Sequence, residues 1–160
     1  MKCVEEFLKA NNIEYVVHEH PAVFTCEEAQ KHCSNVPGVA SKNLFLRDDK
    51  KRRYFLVILS SKKRADLKNL AQLLGVKRVS FANDSELKEK LGLEPGAVSI
   101  FGLLNDSNLQ VELFIDKDFY ESSVVNFHPN RNTASVELKK EMLEKFLEII
   151  EHKVNVINIS

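Results

Sequence analysis

The sequence predicts an α/β protein of the α+β kind: a mixed, largely antiparallel sheet with helices packed on it. Two apolar runs, Leu44-Phe45-Leu46 and Tyr54-Phe55-Leu56-Val57-Ile58-Leu59, flank the charged stretch 47–53 and read as a hairpin. Further short apolar runs alternate with amphipathic helical stretches, so strands are joined both by tight turns and through helices, unlike a doubly wound parallel sheet. No repeat, linker or low-complexity tract divides the 160 residues, and 44% of them are hydrophobic, enough for one core. Residues 1–160 are therefore expected to form a single domain.

Taken in order, Val4, Phe7 and Leu8 line one face of a first helix that ends near Asn11-Asn12. Tyr15-Val16-Val17 is a short strand. Thr25 followed by Glu28 fits a capping box for a helix through His32. After the hairpin, Asp66 caps a helix carrying Leu67, Leu70, Leu73 and Leu74, and Gly75 stops it. Val79-Ser80-Phe81 is a strand, and a helix capped by Asn83 or Asp84 ends at Gly92. The stretch from Leu93 to Asn105 fits no regular element: Pro95-Gly96 marks a turn, and Gly102 interrupts an apolar run. Val111–Ile115, Val124–Phe127 and Thr133–Val136 read as strands. Met142, Leu143, Phe146, Leu147 and Ile150 mark the strongest amphipathic helix, and Val154–Ile157 closes the chain.

Formal net charge is zero, but the charge is unevenly placed. Between Ser41 and Arg78 stand 12 lysines and arginines against 3 acids; between Phe81 and Glu121 the balance is 3 against 9. Such a basic segment can meet phosphates, although a solvated lysine face has the same composition. No run approaches the roughly 20 apolar residues of a membrane span, and the first residues are not a secretory leader. Three cysteines without framework spacing suit a reducing, cytoplasmic setting.

His18, His20, Cys26, His32 and Cys33 cluster early, but their spacing does not supply the paired ligands of a zinc site, so no metal is expected. No nucleophile elbow, P-loop or dinucleotide fingerprint is present, and no cofactor is expected. Lys42 stands at the mouth of a strand, where it either snorkels to water or faces a cleft. In His128-Pro129-Asn130 the proline fixes its own backbone and pushes the preceding residue extended, which pins His128 at a strand end.

The ordered set Ser41-Lys42-Asn43-Leu44-Phe45-Leu46, then Pro95-Gly96-Ala97-Val98-Ser99-Ile100-Phe101-Gly102-Leu103-Leu104-Asn105-Asp106, then Phe127-His128-Pro129-Asn130 resembles the YbaK/ProX family. More closely, it looks like the freestanding deacylases similar to the editing insertion domain of bacterial prolyl-tRNA synthetases. The resemblance covers essentially the whole chain. It implies a mixed α/β domain that hydrolyses the ester of a mischarged tRNA, typically alanine on the proline tRNA. It implies that Lys42 is the signature functional residue, and that the loop from Gly96 to Gly102 and His128 line the acyl pocket. The chain departs from the family pattern at Ile100, where relatives usually carry proline, which bears on the pocket's rigidity and amino-acid preference.

A synthetase site that accepts proline cannot exclude alanine well, because each missing methylene is worth only about 1–3 kcal/mol. A second pocket too small for proline solves the problem. On this reading Lys42, Gly102 and His128 are the catalytic set, with backbone amides around Gly102 facing the oxyanion. Asn43, Phe45, Gly96, Ser99, Ile100, Phe101 and Asn130 form the substrate site. Lys50, Lys51, Arg52, Arg53, Lys62, Lys63 and Arg64 contact the acceptor stem by neutralising phosphates. The expected partners are the acceptor end of a mischarged tRNA and prolyl-tRNA synthetase, with neither DNA nor a membrane. The alternative is a noncatalytic tRNA- or synthetase-binding module of the same fold. A Schiff-base role for Lys42 is disfavoured, since no carbonyl-substrate or phosphate-cofactor motif accompanies it.

Overall fold

The computed structural model describes residues 4–22, 31 and 36–159. The expected Thr25–Glu28 capping box, and Cys3, Cys26, His32 and Cys33, lie outside them. Strands β1 (Val16–Glu19), β2 (Val39–Asp48), β3 (Tyr54–Ser60), β4 (Val79–Phe81), β5 (Val111–Asp116), β6 (Val124–Phe127), β7 (Ala134–Lys139) and β8 (Val154–Ile157) form one mixed sheet. Its order is β1-β7-β6-β2-β3-β5-β8, with β4 also paired to β2. The expected hairpin is β2–β3, in antiparallel register from Ser41 opposite Ser60 to Arg47 opposite Tyr54. Its turn is built by Asp48, whose Oδ1 accepts from the Arg52 and Arg53 amides, while Lys51 takes the left-handed conformation (φ 55°).

β3 has to be buried on both faces, since its five central residues are all apolar. Alternation assigns them in turn: Leu56 and Ile58 enter one cluster, Phe55, Val57 and Leu59 the other. Helix α2 (Leu67–Leu74) covers the second cluster with Leu70, Ala71 and Leu74. The first cluster is covered by α1 (Val4–Ala10), α3 (Asp84–Leu91), α4 (Lys117–Tyr120) and α5 (Lys140–Ile149). The caps follow the residues that specify them. Asp66 accepts from the Lys68 amide, Asn83 and Glu86 make a reciprocal capping box, and Gly75 and Gly92 end their helices at positive φ.

Several elements differ from what the sequence predicts. The stretch read as irregular contains a 3-10 helix, Ile100–Asn105, begun by Ser99, whose Oγ accepts from the Phe101 amide. The first strand is shifted to Val16–Glu19 by its pairing with β7, and α4 was not anticipated, being only four residues long. Among the described residues no helix is long and apolar enough to cross a membrane.

Candidate active site

β2 is shared between two partners on one edge. At its start Val39 and Ala40 pair in parallel with Val125 and Asn126 of β6; at its end Leu46 to Asp48 pair with β4. Among the described residues this leaves backbone of β2 around residues 41–44 without a strand neighbour on that side, a stretch able to bond something else. The entry into β2 is tight: a Cβ on Gly38 (φ 95°) would stand 2.7 Å from Val124 Cγ1 and 2.8 Å from its carbonyl oxygen. The parallel register brings the expected residues to one end of the sheet. Lys42 follows Ala40 by two residues and His128 follows Asn126 by two, so both lie where β2 and β6 part.

Lys42 shares a strand face with Leu44 and Leu46 by alternation, whereas Asn43 and Phe45 take the other face. Its Nζ donates to the Lys63 carbonyl at 2.6 Å. Asn43 Nδ2 donates to Ser41 Oγ at 2.8 Å, and its buried Oδ1 has no donor among the described residues. Phe45 is buried and stacks on Tyr54 with ring centroids 5.7 Å apart.

His128 donates its Nδ1–H to the Ala134 carbonyl at 2.9 Å, because a carbonyl can only accept. In the neutral ring, Nε2 is then the unprotonated, accepting nitrogen. Burial pushes this imidazole below its ordinary value; the bond to Ala134 opposes that shift and the neighbouring His20 adds to it. His20 meets His128 edge-on at 5.9 Å and ties to Ser135 Oγ at 3.0 Å. In the sequence His20 stands out only as a metal-ligand candidate; the signal that pairs it with His128 is that both histidines precede a proline, which holds each at a strand end. Asn130 takes the left-handed conformation (φ 60°) and its Nδ2 reaches the Phe101 carbonyl at 3.4 Å, linking the His128 turn to the 3-10 helix. Its Oδ1 is a second buried acceptor without a donor among the described residues.

The glycine loop differs from expectation. Gly96 (φ 86°) does make the turn, but Ser99, Ile100, Phe101 and Gly102 are all without solvent exposure or nearly so. Phe101 packs on Phe127 and Phe146, with centroids 5.8 and 5.1 Å away, so the ring is spent on the core. The Gly102 N–H donates to the Ser99 carbonyl, which removes it as an oxyanion donor in this arrangement. A close approach does explain this glycine, but the neighbour is Leu93: a Cβ would stand 2.6 Å from its Cδ1. Two cavities, of about 250 and 280 Å³, are lined around Phe7 and Ile149 and around Lys88 and Gly92; neither includes Lys42, Gly102 or His128.

The basic residues do not form one surface. Ser41 pairs with Ser60 and Arg47 with Tyr54, so Lys50 to Arg53 lie at the far end of the hairpin from Lys62 to Arg64, about 20 Å away along β3. Lys50, Lys51, Arg52, Lys62 and Arg64 are exposed. Arg53 is committed to a two-pronged bond with Glu112 at 2.8 Å, and Lys63 to Asp116 and Asp118 at 2.7 Å each. Neither is the free cation that the sequence suggested. Among the described residues no group of three or more His, Cys, Asp or Glu side chains is arranged to hold a metal.

Residues 20–146 match the family model described as the aminoacyl-tRNA editing domain, a span that contains Lys42, the 3-10 helix and His128. The chain belongs to this family. It is 43% identical over 136 residues to the prolyl-tRNA editing protein ProX of Acetoanaerobium sticklandii, covering 84% of this chain and 82% of that one. It is 38% identical over 153 residues to the prolyl-tRNA synthetase associated domain-containing protein 1 of Danio rerio, covering 94% of this chain and 83% of that one. A solved structure described as a candidate trans-editing enzyme for prolyl tRNA synthetase shares the fold. The TM-score is 0.71 at 22% identity, over 98% of this chain and 95% of that one. The editing family carries an enzymatic activity, deacylation of aminoacyl-tRNA, and the chain is an enzyme of that kind.

Proposed function

We propose that this editing domain acts in trans on tRNA(Pro) and hydrolyses its alanyl ester in preference to the prolyl one. The observation that carries the reading is the family match over a span in which Lys42 and His128 stand at one end of the β2–β6 pair. The relatives named as prolyl-tRNA editing protein and prolyl-tRNA synthetase associated protein support the choice of tRNA and of the synthetase as a partner.

Water attacks the ester carbonyl carbon, the bond to the ribose oxygen breaks, and that oxygen takes up a proton from the water to become the free ribose hydroxyl, releasing free amino acid and intact tRNA. Lys42 has three donors, one of them on the Lys63 carbonyl, and turns the others toward the terminal phosphate or the ester. Neutral His128 offers Nε2 as an acceptor to the attacking water or to a ribose hydroxyl. The Oδ1 atoms of Asn43 and Asn130, without a donor among the described residues, accept from the donors of the aminoacyl end. An aminoacyl ester is already activated, so a positioned water suffices without a covalent nucleophile. Exposed Lys62 and Arg64, at the Lys42 end of the hairpin, neutralise acceptor-stem phosphates.

The test is hydrolysis of alanyl-, seryl-, cysteinyl- and prolyl-tRNA(Pro) by the purified chain. Cleavage of the alanyl ester with the prolyl ester spared is the expected result. Cleavage of none would contradict the reading, and cleavage of the prolyl ester alone would defeat its size-exclusion part.

A further inference from the structure

We propose that Lys63 is a positioning residue that holds Lys42 for the reaction, with Asp116 acting through it. The inference rests on the deacylase reading for the role of Lys42, and on the geometry for everything else.

Lys42 has a flexible four-carbon stem, so an ammonium that must meet one substrate group needs a fixed acceptor. That acceptor is the Lys63 carbonyl, 2.6 Å away in the segment after β3. A loop carbonyl is a poor anchor unless the loop itself is held. This one is held by its own side chain. Lys63 Nζ donates to Asp116 Oδ2 at 2.7 Å, Asp118 Oδ2 at 2.7 Å and the Ile159 carbonyl at 2.8 Å, which uses all three of its donors. Asp116 is fully buried at the end of β5, and its second oxygen accepts from the Ile159 amide at 2.9 Å. The backbone is tied as well, by Ser61 N–H to the Ala40 carbonyl and Lys63 N–H to the Ser60 carbonyl. β5, β3 and β2 are consecutive in the sheet, so the path from Asp116 through Lys63 to Lys42 crosses three adjacent strands. Lys62 and Arg64 on either side point to solvent, and Lys63 alone of the three turns inward. Three acceptors around one ammonium suit lysine and not the planar fork of arginine.

Two readouts on the full chain test this. The first is the 1H–15N signal of the Lys42 ammonium, visible only where a hydrogen bond slows its exchange. It is expected in the wild type and lost in Lys63→Met and Asp116→Asn. Its absence from the wild type, or its survival in Lys63→Met, would overturn the proposal. The second is a double-mutant cycle on alanyl-tRNA(Pro) hydrolysis. Lys63→Met is expected to lower kcat/KM by about tenfold to a hundredfold, and Lys42→Ala/Lys63→Met to be no slower than Lys42→Ala alone. Multiplying effects would mean that Lys63 acts independently, and the proposal would fall. Should Lys63→Met not fold, Asp116→Asn decides alone: loss of the Lys42 signal supports the proposal and an unchanged signal overturns it. Wild-type protein that cleaves no ester would defeat the deacylase reading while leaving the ammonium signal to decide this one.

Discussion

Lys42 and His128 each lie two residues beyond the parallel pair Ala40–Asn126, at the end where β2 and β6 separate. A parallel pair brings residues far apart in sequence to the same end of a sheet, here across 86 positions, which a hairpin of this size does not do. The ends of such pairs are where α/β folds leave room for ligands, because the strands diverge and loops replace them.

His128 makes stability depend on pH in a stated direction. Its folded value is below that of the unfolded chain, about 6.5, so the unfolded state takes up the proton first as pH falls. The contribution is full above about pH 6.5 and is lost on acidification toward the folded value. Urea midpoints should fall from pH 7 to pH 5, and fall less in His128→Gln; equal losses would contradict the assignment.

Gly102 is small for packing reasons. Gly102→Ala should cost about 1–3 kcal/mol, since a methyl there meets Leu93 and Leu91 in a filled core. Gly102→Ala/Leu93→Val should regain part of the loss. Denaturation of the three proteins checks this, and no recovery would place the strain elsewhere.

Asp106 and His152, both buried and 2.9 Å apart, brace the turn into β5. Burial opposes ionisation of Asp106, yet its bonds from His152 and from the Val111 and Gln110 amides prevail and hold the carboxyl below its usual range. Its stabilising effect is present above about pH 3.9 and is lost as pH falls through the folded value. Asp106→Asn should destabilise by about 3 kcal/mol at pH 7 and flatten the acid limb of stability, as measured by urea melts at each pH.

Tyr54 donates to Glu86 Oε2 at 2.6 Å, which with burial pushes its hydroxyl up to about 12. A raised value keeps the bond intact below about pH 10 and loses it as pH rises through 12. Ultraviolet titration should contain a component near pH 12 that disappears in Tyr54→Phe. A curve unchanged by the substitution would contradict it.

What was legible in the sequence was local. Asp66, Asn83, Gly75 and Gly92 cap helices through bonds within a few residues, and the hairpin is set by its own turn. The division of one β2 edge between β6 and β4 was not legible, because it depends on pairs about 35 and 86 residues apart and no periodicity encodes them. Lys63 reads as one of three equivalent cations, since its inward turn depends on Asp116 and Ile159. Gly102 announced a close approach, but the identity of the neighbour was set by packing against Leu93. Ile100 and Phe101 looked like pocket walls because an apolar run next to a glycine has the same composition whether it faces a ligand or the core.

The most direct measurement is single-turnover hydrolysis of alanyl- and prolyl-tRNA(Pro) by the wild type and by Lys42→Ala. We expect the wild type to cleave the alanyl ester at least about tenfold faster than the prolyl ester, the discrimination that a change in ring or methylene bulk supports. We expect Lys42→Ala to lose about a hundredfold or more of that rate while remaining folded. Equal cleavage of the two esters, or a Lys42→Ala enzyme at full rate, would contradict the function and the residue on which it rests.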